Sequence, residues 1–168
     1  LLHTPAEQLA AVNKHWALIR YIRKPYESVQ LAAVSKNSLA IKYIPAPSEE
    51  VQLAAVKKAG FVVRYIANPS PQVQSAAVAA DWEMLKYVNS SLETVQIAAV
   101  NNTIAPLKYI KNPSLNVQIA AVKQNVQALK YIDNICLETM VLAVQMSIAA
   151  LDYVNEILPA DKIDSILI

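Results

Sequence analysis

A basic residue recurs every 22 positions along most of this chain: Arg20, Lys42, Arg64, Lys86, Lys108 and Lys130. Evenly spaced cations could follow a phosphate backbone or an acidic polypeptide, provided that neighbouring charges stand about one Debye length apart. A tyrosine follows each of them directly, and a seventh completes the series Tyr21, Tyr43, Tyr65, Tyr87, Tyr109, Tyr131 and Tyr153. Six glutamines keep the same beat: Gln8, Gln30, Gln52, Gln74, Gln96 and Gln118. The chemistry available to such a set is recognition through charge, ring faces and amides. Bond-breaking needs a different set of residues.

That set is missing. A nucleophile requires a base within reach and a third group to orient it, yet His3 and His15 lie at the start of the chain and the one cysteine, Cys136, lies near its end. One cysteine forms no internal disulfide, no spacing of His, Cys and carboxylates reads as a metal site, and one glycine, Gly60, excludes a Gly-rich phosphate loop. The expectation is a non-enzyme with no cofactor and no metal. The formal net charge of +2 is low for a protein that coats nucleic acid. With 55% hydrophobic and 17% charged residues the chain can bury a core. No apolar run is long enough to cross a bilayer, and Leu1-Leu2-His3-Thr4-Pro5 does not read as a signal peptide, so the expected location is cytoplasmic and no membrane partner is expected.

The interval that spaces the cations also defines the elements that must carry them. Val12, Val34, Val56, Val78, Val100, Val122 and Val144 form a further series, each preceded by alanine, and no insertion breaks the register. Residues 3–156 divide into seven repeats: 3–24, 25–46, 47–68, 69–90, 91–112, 113–134 and 135–156. Counting from Pro25, Pro47, Pro69 and Pro113 as position 1, the consensus is Pro-Ser-x-x-Val-Gln-Leu-Ala-Ala-Val, a polar stretch, then x-Leu-Lys-Tyr-Ile.

Position 2 holds good helix N-caps in Thr4, Ser48, Ser70 and Ser114, with Pro5 and Pro71 just after, at N1. Position 13 caps a second helix in five repeats, through Asn37, Asp81, Thr103, Asn125 and Ser147, which places Pro106 at N3. Helices of about 7 to 10 residues are too short to stand alone in water. Stacking against identical neighbours is the remaining source of stability, which predicts an all-α fold, an α-solenoid of helix-turn-helix repeats.

Two segments, AAVKKAGFVVRYI (Ala54 to Ile66) and AAVKQNVQALKYI (Ala120 to Ile132), resemble a family of short α-helical repeats found in tandem in bacterial, phage and protist proteins. The likeness covers residues 3–156 and implies a HEAT-like αα-superhelix with no assigned activity. The seventh repeat departs from the pattern, with Thr139-Met140 in place of Val-Gln and Asp152 in place of the cation. Repeat-like sequence reaches almost to both ends and no initiator methionine is present, so a segment of a longer protein is expected. Residues 157–168 would then be a truncated eighth repeat or, alternatively, a C-terminal cap.

Helical periodicity assigns positions 13, 16, 17 and 20 to the core stripe of the second helix, with the tyrosine at position 19 on its flank. The glutamines fall on the apolar face of the first helix, where a buried amide must find partners, and a ladder of bonds to inter-helix turns is expected. Position 18 points away from the core. Its cations form a ridge near helix C-termini, while Glu27, Glu49, Glu50 and Glu93 sit in first turns, an arrangement that helix dipoles alone would favour. Position 15 varies most, and Leu39 with Phe61 there forms an apolar centre beside Lys42 and Arg64. The reading is a repeat scaffold for protein–protein interaction, with an acidic surface as the partner that the ridge would suit. A nucleic-acid-binding solenoid using the ridge and an architectural or oligomerisation arm are the alternatives, and oligomeric state is left open.

Overall fold

The computed structural model describes residues 3–157, which are helical with no β-strand among them. Seven α-helices begin at position 3 of successive repeats: α1 Pro5–Lys14, α2 Glu27–Lys36, α3 Glu49–Lys58, α4 Pro71–Ala80, α5 Glu93–Val100, α6 Leu115–Gln124 and α7 Leu137–Met146. An eighth, α8 (Ala150–Ile157), closes the seventh repeat. In each of the first six repeats a short 3-10 helix follows: η1 Trp16–Tyr21, η2 Ser38–Tyr43, η3 Gly60–Tyr65, η4 Trp82–Tyr87, η5 Ala105–Tyr109 and η6 Val126–Tyr131.

Three of the four serine and threonine start signals at position 2 act as the sequence implies. Thr4 and Glu7 form a capping box, with Thr4 Oγ1 accepting from the Glu7 amide at 3.2 Å and Glu7 Oε2 accepting from the Thr4 amide at 3.0 Å. Those backbone donors hold the Glu7 carboxyl below the usual carboxylate range. Ser48 and Ser70 accept from the amides of Val51 and Val73, and Pro5 and Pro71 are the first residues of α1 and α4. Tyr26, Leu92, Ser114 and Cys136 occupy the same N-cap position without a side-chain cap bond.

In the first four repeats and the sixth, a single extended residue ends the α-helix and starts the tighter 3-10 helix. Asn37, at φ −149° and ψ 119°, is both the C-cap of α2 and the N-cap of η2. Its Oδ1 accepts from the Leu39 amide at 3.0 Å; Asp81, Asn125, Thr103 and His15 make the equivalent bond to the residue two further on. About six residues then remain before the chain turns back, and 3-10 bonding satisfies more amides in so short a run.

Two corrections follow. Position 13 is a corner rather than core, because a three-residue period aligns positions 14, 17 and 20: Ser38, Ile41 and Ile44 are all buried. Pro106 stands at N2 of η5 rather than N3, since that helix starts behind Ile104.

Contacts divide the chain into two bodies, the first ending at Asn89 and the second starting at Ser90. In the first, α1 to α4 pack each on the next, η1 to η4 do likewise, and η1, η2 and η3 also touch the following α-helix. Val12, Val34, Val56 and Val78 lie in its core beside Ala33, Ala55 and Ala77, all essentially inaccessible. In the second, α5, α6, α7 and α8 pack in order and η5 packs on η6. Its core gathers Val100, Leu107, Val117, Ala121, Val122, Leu129 and Ala143. Asn68 and Asn112 turn the chain before Pro69 and Pro113 with φ of 50° and 49°, a left-handed conformation that asparagine tolerates well. The expected cap or partial repeat beyond Ile157 lies outside the described residues.

Candidate interaction surface

All six repeated cations are exposed, and each lies over aromatic rings. In the first body the Arg20 guanidinium lies 4.8 Å from the Tyr21 ring centroid, Lys42 Nζ lies 5.6 Å from Tyr65, and Lys86 Nζ lies 5.3 Å from Tyr87. Arg64 reaches three rings, Phe61 at 5.3 Å, Tyr65 at 5.2 Å and Tyr87 at 6.0 Å. In the second body Lys108 stands over Tyr131 at 5.6 Å and Lys130 over Tyr153 at 4.6 Å. Hydrogen bonding to Tyr153 pushes the Lys130 amine above its ordinary value, and bonding to Tyr21 does the same for Arg20.

The 3-10 geometry produces this interleaving. Positions 18 and 19 are the last two residues of each short helix, and stacking brings the cation of one repeat onto the ring of the next. Lys42–Tyr65, Arg64–Tyr87, Lys108–Tyr131 and Lys130–Tyr153 are all such cross-repeat pairs. The sequence sets each cation beside its tyrosine but puts that tyrosine on the flank of the core stripe; a cation lying over a ring is what the structure adds. Tyr21 is 72% exposed and Tyr65 38% exposed, so ring faces remain open beside the cations.

Leu39 and Phe61 are half-buried rather than exposed, with the Arg64 guanidinium lying over Phe61. Position 15 therefore supplies no large open apolar side chain: Ala17 and Ala105 are half-buried too, while Glu83, Gln127 and Ala149 are exposed. Trp16 and Trp82 are half-buried, and Trp16 stacks on His15 with centroids 6.2 Å apart.

On the opposite element the glutamine amides bond loop backbone. Gln30, Gln52, Gln74 and Gln118 donate to the carbonyls of Pro25, Pro47, Pro69 and Pro113 at 2.8–3.0 Å. Gln118 also donates to Asn134 O at 2.9 Å and accepts from the Cys136 amide at 2.9 Å, so it joins the loops on either side of its repeat. Gln8 makes the same crossing, donating to Lys24 O and accepting from the Tyr26 amide, and Gln74 accepts from the Asn89 amide. Gln96 donates to Ser90 O at 2.7 Å.

The acidic first turns do more than oppose a dipole. The hydroxyls of Ser48, Ser70 and Ser114 donate to the carboxylates of Glu27, Glu49 and Glu93, each in the preceding repeat. Ser48 and Ser70 thereby accept from their own helix and donate to the neighbour. This couples consecutive repeats on the α side and engages carboxylates there, away from the basic edge.

Cys136 is half-buried, and among the described residues no group of three His, Cys, Asp or Glu side chains could hold a metal. No described helix is long and apolar enough to cross a membrane. Comparison of the chain with protein-family profiles, curated proteins and solved structures finds no match.

Proposed function

We propose that the chain is a non-enzymatic α-solenoid of seven 22-residue repeats that presents the cation–tyrosine edge of its 3-10 helices to a protein partner with an acidic surface. One observation carries the reading: an exposed cation held over an aromatic ring recurs in six repeats, while Glu27, Glu49 and Glu93 are engaged by serines on the α side. Within each body, contacts between like elements of consecutive repeats support the stacked arrangement. The interaction residues are Arg20, Lys42, Arg64, Lys86, Lys108 and Lys130 with their tyrosines. Leu39 and Phe61 serve as the packing under that edge rather than as anchors.

Interleaved rings and cations also suit single-stranded nucleic acid, where bases stack on aromatics and phosphates meet lysine and arginine. A parallel affinity capture from the source cell, using wild type and the triple variant Lys42→Glu, Arg64→Glu, Lys86→Glu, separates the two. Proteins retained by wild type and lost from an equally helical variant support the protein reading. Equal retention by both overturns it, and nuclease-sensitive retention transfers the function to nucleic acid.

A further inference from the structure

The edge of the first body carries enough regularity to define the shape of what it binds. We propose that Arg20, Lys42, Arg64 and Lys86 form a track for an acidic polypeptide in polyproline II conformation with a carboxylate at every third residue. This rests on the protein-scaffold reading and specifies its partner.

Charge comes first. Among the described residues Arg20, Lys42 and Arg64 meet no carboxylate, and the one ion pair on the edge is Lys86 with Glu83 at 3.7 Å. Their charge is therefore available to a ligand. The head groups are also held in place, because Arg64 is bracketed by Phe61, Tyr65 and Tyr87 and Lys42 reaches across to Tyr65. A positioned cation loses less freedom on pairing than a free one.

Period then selects the ligand conformation. Packed helices stand about 8 to 10 Å apart, so the track offers one cation per ~10 Å. A polyproline II segment advances ~3.1 Å per residue with three residues per turn, which returns every third side chain to the same side after ~9 Å. A β-strand sends side chains three apart to opposite faces. A nucleic-acid strand carries a phosphate about every 3.4 Å when stacked, leaving most of them without a cation here. The exposed faces of Tyr65 and Tyr87 add the aromatic surface on which proline-rich segments dock.

Fluorescence anisotropy with the full chain at low salt tests this, using labelled (Glu-Pro-Pro)4 against an isomer with its four glutamates contiguous. The spaced peptide should bind at least about fivefold more tightly. The preference should vanish in Lys42→Gln, Arg64→Gln and in Tyr65→Ala, but persist in Tyr65→Phe, with the far-ultraviolet dichroism unchanged in all. Equal affinity for the two isomers overturns the register while leaving an acidic partner in place, and tighter binding of a helical peptide with glutamate at every seventh position overturns the conformation. Binding of neither peptide overturns the acidic track, and tighter binding of oligothymidylate overturns it in favour of nucleic acid. The scaffold reading falls separately, on the unaltered capture described above.

Discussion

Gln118 shows how one side chain can tie down two stretches of backbone. It is 1% exposed, it donates to Pro113 O and Asn134 O, and it accepts from the Cys136 amide. Proline supplies no amide of its own, and the two loops lie outside any helix, so these groups have few other partners. Gln96 is only half-buried and makes a single such bond, to Ser90 O. Replacing each by methionine keeps volume and removes the amide. Gln118→Met should cost about 2–4 kcal/mol, because a buried N–H and two carbonyls lose their partner, whereas Gln96→Met should cost about 1 kcal/mol or less. Denaturant midpoints measured at unchanged slope check both. Equal losses would mean that the amide contributes through its local helix alone. Met140, the natural replacement in the seventh repeat, sits buried beside Val154, which shows that the site accepts methionine when the surrounding chain is built for it.

At the scale of elements, the α-helix starts were legible because their signals are local: threonine or serine at position 2, proline or an acid just after. The second element was legible as a helix but not as 3-10. Six residues contain too few turns for apolar spacing to separate a period of 3.0 from one of 3.6, and that difference moved position 13 out of the core. The cross-repeat cation–ring pairs and the serine–glutamate pairs join residues about 21 to 23 apart, so they depend on how repeats stack and no single repeat reveals them. Gly60 is a further case. A Cβ built there would lie 2.4 Å from the Ala77 carbonyl oxygen, which itself accepts the Asp81 amide, so α4 approaches η3 more closely than a side chain permits. Other repeats place Trp16, Ser38 or Ile104 at this position, so the need for glycine belongs to one contact and not to the repeat. Gly60→Ala should therefore destabilise by about 2–3 kcal/mol despite alanine's better helix propensity, whereas Ser38→Ala should change stability by less than about 1 kcal/mol. Thermal or urea unfolding of the two variants reads the difference; a stabilised Gly60→Ala would show that α4 gives way freely.

At the scale of the whole chain, stability has to come from neighbours. Ten-residue α-helices and six-residue 3-10 helices do not persist alone, and in the first body every helix packs both within its own repeat and on a neighbouring one. Such an arrangement behaves as nearly one-dimensional, its stability a sum of repeat and interface contributions. Lys24 and Ala46 occupy the same repeat position, so excision of residues 25–46 joins equivalent points and lets α1 meet α3 through the residues that α2 presented to each. Val34 and Ala33 are replaced by Val56 and Ala55, and the Gln8 acceptor oxygen meets the Ser48 amide in place of Tyr26. The shortened chain should keep its helicity per residue and unfold cooperatively at a lower temperature. Excision of residues 25–35 removes half a repeat and places Lys36 after Lys24, so that Val and Gln positions no longer face their partners; this chain should lose cooperative unfolding. Circular dichroism melts of the two excisions decide the matter. If the half-repeat excision melts as sharply as the full one, identical stacking at 22-residue intervals is not what holds the chain together.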